Sequence, residues 1–163
     1  MNPTCVIVAN SSRARFFKLE DNAPPEYESG PKLIELSALI NSETNHNSSG
    51  TWSNVKSGRN RATTSGNAHG YDDHRTKHLA EYEKRFAQSI VDETQRINKS
   101  KNGKIILVSH NRMLGHLRNA ISGATKGLHA TELNKDLIRL NPTELQERLC
   151  DERLLPKRRS IPN

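Results

Sequence analysis

A chain of 163 residues fits one domain better than two, and a hydrophobic content of 33% with a mean hydropathy of −0.81 is lean for a fully packed globule. A net charge of +7 and a pI near 9.6 point to a polyanionic partner or, more plainly, to solubility. No run approaches the ~20 apolar residues that cross a bilayer, no basic stretch followed by a long apolar one opens the chain, and Cys5 and Cys150 make neither a disulfide framework nor a zinc spacing. The expectation is a cytoplasmic protein.

In chain order, Thr4 to Ala9 reads as a strand, with Cys5 as a small core residue. Asn10-Ser11-Ser12 reads as a turn and Ala14 to Leu19 as a second strand, which together predict a β-hairpin. Asp21 to Pro25 ends it. Lys32 to Ile40 starts as a strand and finishes either as strand or as a turn of helix. From Asn41 to Asp73 the texture changes to Ser, Asn, Thr and Gly, with Trp52, Val55 and Tyr71 as the large apolar or aromatic groups. Such a span cannot bury enough surface to offset the entropy of ordering, so residues 41–73 read as a long flexible loop. Lys56, Arg59 and Arg61 make it basic. Cations beside an aromatic ring suit RNA, because the cations meet phosphates while the ring stacks on an unpaired base. The plainer reading is a linker whose charges do nothing specific.

A long helix is predicted from His74 to about Asn98, with Leu79, Tyr82, Phe86, Ile90, Val91 and Ile97 as its apolar stripe and Glu81–Arg85 as an i,i+4 pair. Lys99 to Gly103 ends it. Ile105, Ile106, Leu107 and Val108 follow as a strand buried on both faces. Ser109, His110 and Asn111 break that pattern, and Met113, Leu114, Leu117 and Ile121 resume it at helical spacing. A central strand thus delivers its carboxyl end into a helix N-terminus, a corner that favours anions and that Arg112, His116 and Arg118 surround with donors. The same corner is also ordinary scaffolding. Leu128 to Leu133 carries a weak strand signal. Asn141-Pro142-Thr143-Glu144 reads as a capped helix start ahead of Leu145 and Leu149. The alternation of strands and helices defines an α/β chain: one domain over 1–155 and a basic tail over 156–163.

The candidate chemistry is sparse. His69, Asp72, Asp73, His74 and His78 cluster in sequence, and His74 and His78 lie one helical turn apart, a metal-ligand spacing. Arg75 and Lys77 interleave them and oppose a cation, and the two aspartates are explained as helix-start residues. Ser109 lacks a nucleophile elbow, no Walker A or G-x-G-x-x-G loop is present, and the strand ends offer too few acids for a two-metal nuclease. No catalytic residue, metal or cofactor is assigned.

Three blocks carry a resemblance: V-I-V-A-N-S-S-R-A-R-F-F near the start, R-M-L-G-H-L-R from Arg112 to Arg118, and K-D-L from Lys135 to Leu137. In order and spacing they resemble the bacterial host attachment proteins, described as required for attachment to host cells. That family commonly has Asp where Asn10 stands, and a proline-containing turn in place of Ser109-His110-Asn111. It is in turn similar to the middle domain of the archaeal and eukaryotic peptide-chain release factor. The resemblance implies a three-layer, RNase H-like mixed sheet flanked by helices and a ribosome- or RNA-facing role. It does not imply peptidyl-tRNA hydrolysis, because the stretch Ser57 to Gly70 holds no Gly-Gly-Gln.

The leading expectation is a non-enzymatic RNA- or ribosome-binding module. Lys56, Arg59 and Arg61 would contact phosphates, Trp52 would stack, and Arg112 and Arg118 would form a second contact. An adhesion or interaction protein acting on a host or envelope partner is the alternative. A hydrolase using His69, His74 or Ser109 ranks last.

Overall fold

The computed structural model describes residues 4–21, 30–44, 70–98, 103–124 and 130–158, with the side chains of 70–75 left aside. Five strands form one mixed sheet: β1 (Thr4–Ala9), β2 (Arg13–Glu20), β3 (Lys32–Ile40), β4 (Lys104–Ser109) and β5 (Ala130–Asn134), in the spatial order β3-β2-β1-β4-β5. β1 runs parallel to β4 and β4 to β5, whereas β2 is antiparallel to both β1 and β3. Among the described residues three longer helices flank the sheet, α1 (Gly70–Ile97), α2 (Asn111–Ala124) and α3 (Pro142–Asp151), and residues 42–44 form a short helical turn after β3.

The central pair explains the architecture. Every residue of β1 is buried, as are the last five of β4, so both strands must be covered on both faces. Alternation along the strands then sorts the core. Cys5, Ile7, Ile105 and Leu107 pack with Phe86 and Ile90 of α1 and Met113 and Leu117 of α2. Val6, Val8, Ile106 and Val108 face the other way, onto Leu145 and Leu149 of α3. A fully buried aliphatic side chain contributes about 1.5–3 kcal/mol, and these strands contribute one at nearly every position.

The predicted hairpin forms, with Thr4 opposite Leu19 and Ala9 opposite Ala14. β3 resolves its own ambiguity. Phe16 pairs with Ser37 and Phe17 with Glu35, which leaves Leu36 as the extra residue of a bulge. Leu33 therefore packs on the α3 side and Leu39 on the α1–α2 side, although an even step in position, which keeps a regular strand on one face, relates them. That phase change is what made the stretch resemble a helix in sequence; it is strand throughout.

Two further expectations are corrected. α1 begins at Gly70, four residues before His74, so Asp72 and Asp73 fall inside its first turn. Arg85 does not pair with Glu81. Its guanidinium lies 2.8 Å from the Glu43 carboxylate, which ties the helix to the segment after β3. The last strand sits at Ala130–Asn134, within two residues of its predicted place. The start of α3 is as predicted: Asn141 Oδ1 accepts from Glu144 N at 2.9 Å, and the Glu144 carboxylate accepts from Asn141 N at 3.0 Å.

Candidate functional site

The carboxyl ends of β1 and β4 lie side by side, and the β1–β2 turn leads on directly from the end of β1. Asn10 builds that turn. Its Oδ1 accepts from Ser12 N at 3.0 Å, Ser12 Oγ at 3.1 Å and Arg13 N at 2.8 Å. Its own N–H donates to Arg13 O at 2.9 Å. A short polar side chain that folds back on the following backbone is what favours Asn here. The turn is then tied to two other elements. Buried Asn41, at the end of β3, donates Nδ2 to Ser11 O at 3.0 Å and its backbone N–H to Ser12 O at 2.8 Å. Ser11 Oγ donates to Glu83 Oε1 of α1 at 2.5 Å.

Glu83 is the unexpected residue. It is 1% exposed, in the middle of the apolar stripe of α1. Arg112 Nε of α2 lies 2.6 Å from its Oε2, and His116 Nε2 lies 3.5 Å from the same atom. The charges touch, yet Oε2 receives no well-aligned hydrogen bond. A buried carboxylate needs such neighbours, because burial without a counter-charge is prohibitively costly. The sequence held a signal for it: Glu83 is three residues before Phe86 and seven before Ile90, both in the stripe.

On the opposite face, Arg15 of β2 is the buried cation. Nε and Nη2 donate to the two carboxylate oxygens of Glu35 at 2.9 and 2.6 Å. Nη1 donates to Ile138 O at 3.0 Å and Leu140 O at 2.6 Å. The guanidinium also lies over the Phe17 ring, 4.9 Å from its centroid. The Arg15 hydrogen bonds hold the Glu35 carboxyl below its ordinary range. Beside this pair a groove of about 590 Å³ opens, lined by Asn10, Ser12, Arg13 and Arg15 on one side and by residues 138–142 on the other.

The sequence-predicted contact residues fall in two groups. Trp52, Lys56, Arg59 and Arg61 lie outside the described residues, as does His69. Arg112 and Arg118 both sit on α2 and both meet carboxylates of the chain itself, Arg112 that of Glu83 and Arg118 that of Glu132 on β5, through two hydrogen bonds. Ser109 is fully buried and its hydroxyl donates to Ala9 O at 2.6 Å, so it stitches β4 to β1 and is closed to a substrate. His78 stacks on Tyr82, with centroids 6.4 Å apart. Among the described residues no group of three metal-ligating side chains assembles, and no helix is long and apolar enough to cross a membrane.

Sheet and helices define a mixed α/β protein with two partly buried arginine–carboxylate pairs, Arg15–Glu35 and Arg112–Glu83, on opposite faces of its sheet. The chain belongs to the family of proteins described as required for attachment to host cells, whose model matches residues 5–149. No curated protein matches it.

Proposed function

We propose that this chain is a non-enzymatic, cytoplasmic RNA- or ribosome-binding module on an RNase H-like fold, akin to the middle domain of release factors but without hydrolytic capacity. The observation that carries the reading is where the charge lies. Residues 45–69 hold Lys56, Arg59 and Arg61 and no acid, and residues 156–163 hold Lys157, Arg158 and Arg159 and no acid. These two stretches supply six of the seven surplus positive charges, so the rest of the chain is close to neutral. A charge surplus segregated into acid-free stretches suits a polyanion better than it suits general solubility, which an even distribution would serve. Trp52 adds a ring able to stack on an unpaired base. A mixed sheet with one reversed strand and helices on both faces supports the fold assignment.

Filter binding of structured RNA and cosedimentation with ribosomes, across a salt series, tests the reading. Affinity should fall with salt at roughly 0.7–0.9 log units per log unit for each phosphate contact. The variant K56A/R59A/R61A should lower that slope by about two to three. Absence of binding at low salt, or an unchanged slope in the variant, sinks it.

The family description favours one other reading, direct contact with a host cell. It requires the protein at the cell surface, so surface labelling of intact cells separates it from an indirect requirement.

A further inference from the structure

The groove beside Arg15 holds a second feature, independent of the acid-free stretches. Arg15 clamps the carbonyls of Ile138 and Leu140, and Arg139 lies between them. With both carbonyl oxygens turned onto Arg15, that turn presents to the groove the exposed Arg139 side chain rather than a row of acceptors. Across the groove stands Arg13, also exposed. Neither Arg13 nor Arg139 makes a side-chain hydrogen bond or ion pair with another described residue. Asn10 lines the same groove; its Oδ1 is occupied by three donors, which fixes the amide with Nδ2 as its remaining polar group.

The nearby acids are already engaged. Glu35 is held by Arg15 and feels the charge of Arg13 only at longer range, and Glu144 accepts from the backbone N–H of Asn141. No carboxylate lines the groove itself. Its remaining wall is apolar, from Ile138, Leu140 and Pro142. The groove is open to solvent, and its volume of about 590 Å³ is enough to seat a small organic molecule without enclosing it.

We propose that this groove binds a nucleotide-sized phosphate ester, with Arg13, Arg139 and the Asn10 amide on the phosphate and the apolar wall against the organic body. Two guanidinium groups and a fixed amide donor lining one groove match a phosphoryl group, whose oxygens accept from several directions. Arg15 acts through the backbone: it holds the 138–140 turn in place and leaves the phosphate to its neighbours. The proposal goes beyond RNA binding by the acid-free stretches and does not require it.

Calorimetric titration of the full chain at low salt is the test, with inorganic phosphate, adenosine monophosphate and a 5′-phosphorylated single-stranded RNA as probes. The monophosphate should bind at least about tenfold tighter than inorganic phosphate, because only it reaches the apolar wall. Arg13→Ala and Arg139→Ala should each weaken it by about tenfold, the effect of losing one charge-assisted hydrogen bond. Both residues are exposed, so these variants should fold, which circular dichroism verifies. The K56A/R59A/R61A variant should bind the monophosphate as the parent does, which separates this site from RNA binding by the acid-free stretches. If the RNA competes with the monophosphate, the groove takes a chain end; if it does not, the groove takes a free nucleotide. Both outcomes uphold a phosphate ester site. No binding of the monophosphate, equal affinity for inorganic phosphate, or unchanged affinity in R13A/R139A overturns it.

Discussion

Two arginine–carboxylate pairs sit on opposite faces of the same sheet, and they are built in opposite senses. On the α3 face the cation is the buried partner: Arg15 is 9% exposed and grips Glu35, whose side chain is 31% exposed. On the α1–α2 face the anion is buried: Glu83 lies beneath Arg112, whose side chain is 44% exposed. Which partner is buried decides what the pair can do. Arg15 has four donors placed on two carboxylate oxygens and two carbonyls, so it cannot leave without stranding all of them. Arg112 can move outward, but a phosphate that draws it away leaves Glu83 with His116 and Ser11 for company. Arg118, paired with Glu132 at the surface, gives up its partner at far smaller cost.

The largest expected effect therefore falls on Arg15. Arg15→Met should destabilise by about 3–5 kcal/mol, since it breaks the pair and leaves the carbonyls of Ile138 and Leu140 without a donor. Arg15→Lys should recover little of this, because one ammonium cannot reproduce a bidentate fork with two further bonds. Urea unfolding at neutral pH measures both. A lysine variant as stable as the parent would show that charge alone, rather than the fork, holds this face together.

On the other face the asymmetry should invert. Arg112→Ala strands a buried carboxylate and should cost about 2 kcal/mol, less than a fully buried pair because Arg112 is partly solvated. Glu83→Gln leaves an exposed arginine that water can hydrate, so it should cost about 1 kcal/mol or less. The comparison breaks if the glutamine variant proves the less stable of the two.

How much of this was legible in the sequence follows from the range of the forces involved. Local signals survived. The hairpin turn at Asn10-Ser11-Ser12, the doubly buried strand at Ile105–Val108 and the capping box at Asn141–Glu144 depend on neighbours within a few residues, and all three formed. Leu36 defeated the reading of β3, because a bulge alters the phase of the side chains and mimics a helical step. Glu83 and Arg15 were not singled out for the same physical reason. The helical spacing of Glu83 to Phe86 and Ile90 marks its burial, but the partners lie 72 residues away at Ser11 and 123 away at Ile138, so no local pattern announces the pairing itself. The groove was invisible too, since Arg13 and Arg139 line one groove only when the hairpin and the approach to α3 come together.

The smallest effect concerns acid, and it joins the two halves of the molecule through β3. Glu93 of α1 accepts from Arg96 at 2.7 Å and from Ser37 Oγ of β3 at 2.7 Å. Those bonds, Arg96 first and Ser37 second, hold its carboxyl down from the ordinary 4.5 to about 2. Glu35, at the same edge strand, is shifted in the same direction by Arg15. A carboxylate whose pKa is depressed on folding contributes stability that is fully present above its unfolded value and is lost as pH falls through the folded one. For Glu93 that window runs from about 4.5 down to about 2. Glu93→Gln should therefore flatten the loss of stability across this window: the variant lies somewhat below the parent at pH 7, where it lacks the ionised pair with Arg96, and the two curves converge as pH falls toward about 2. Arg96 is well exposed, so salt should shrink the difference between parent and variant. Acid unfolding followed by circular dichroism at low and high salt reads both. Superimposable acid limbs for parent and variant would mean that this carboxylate does not tie α1 to the sheet edge.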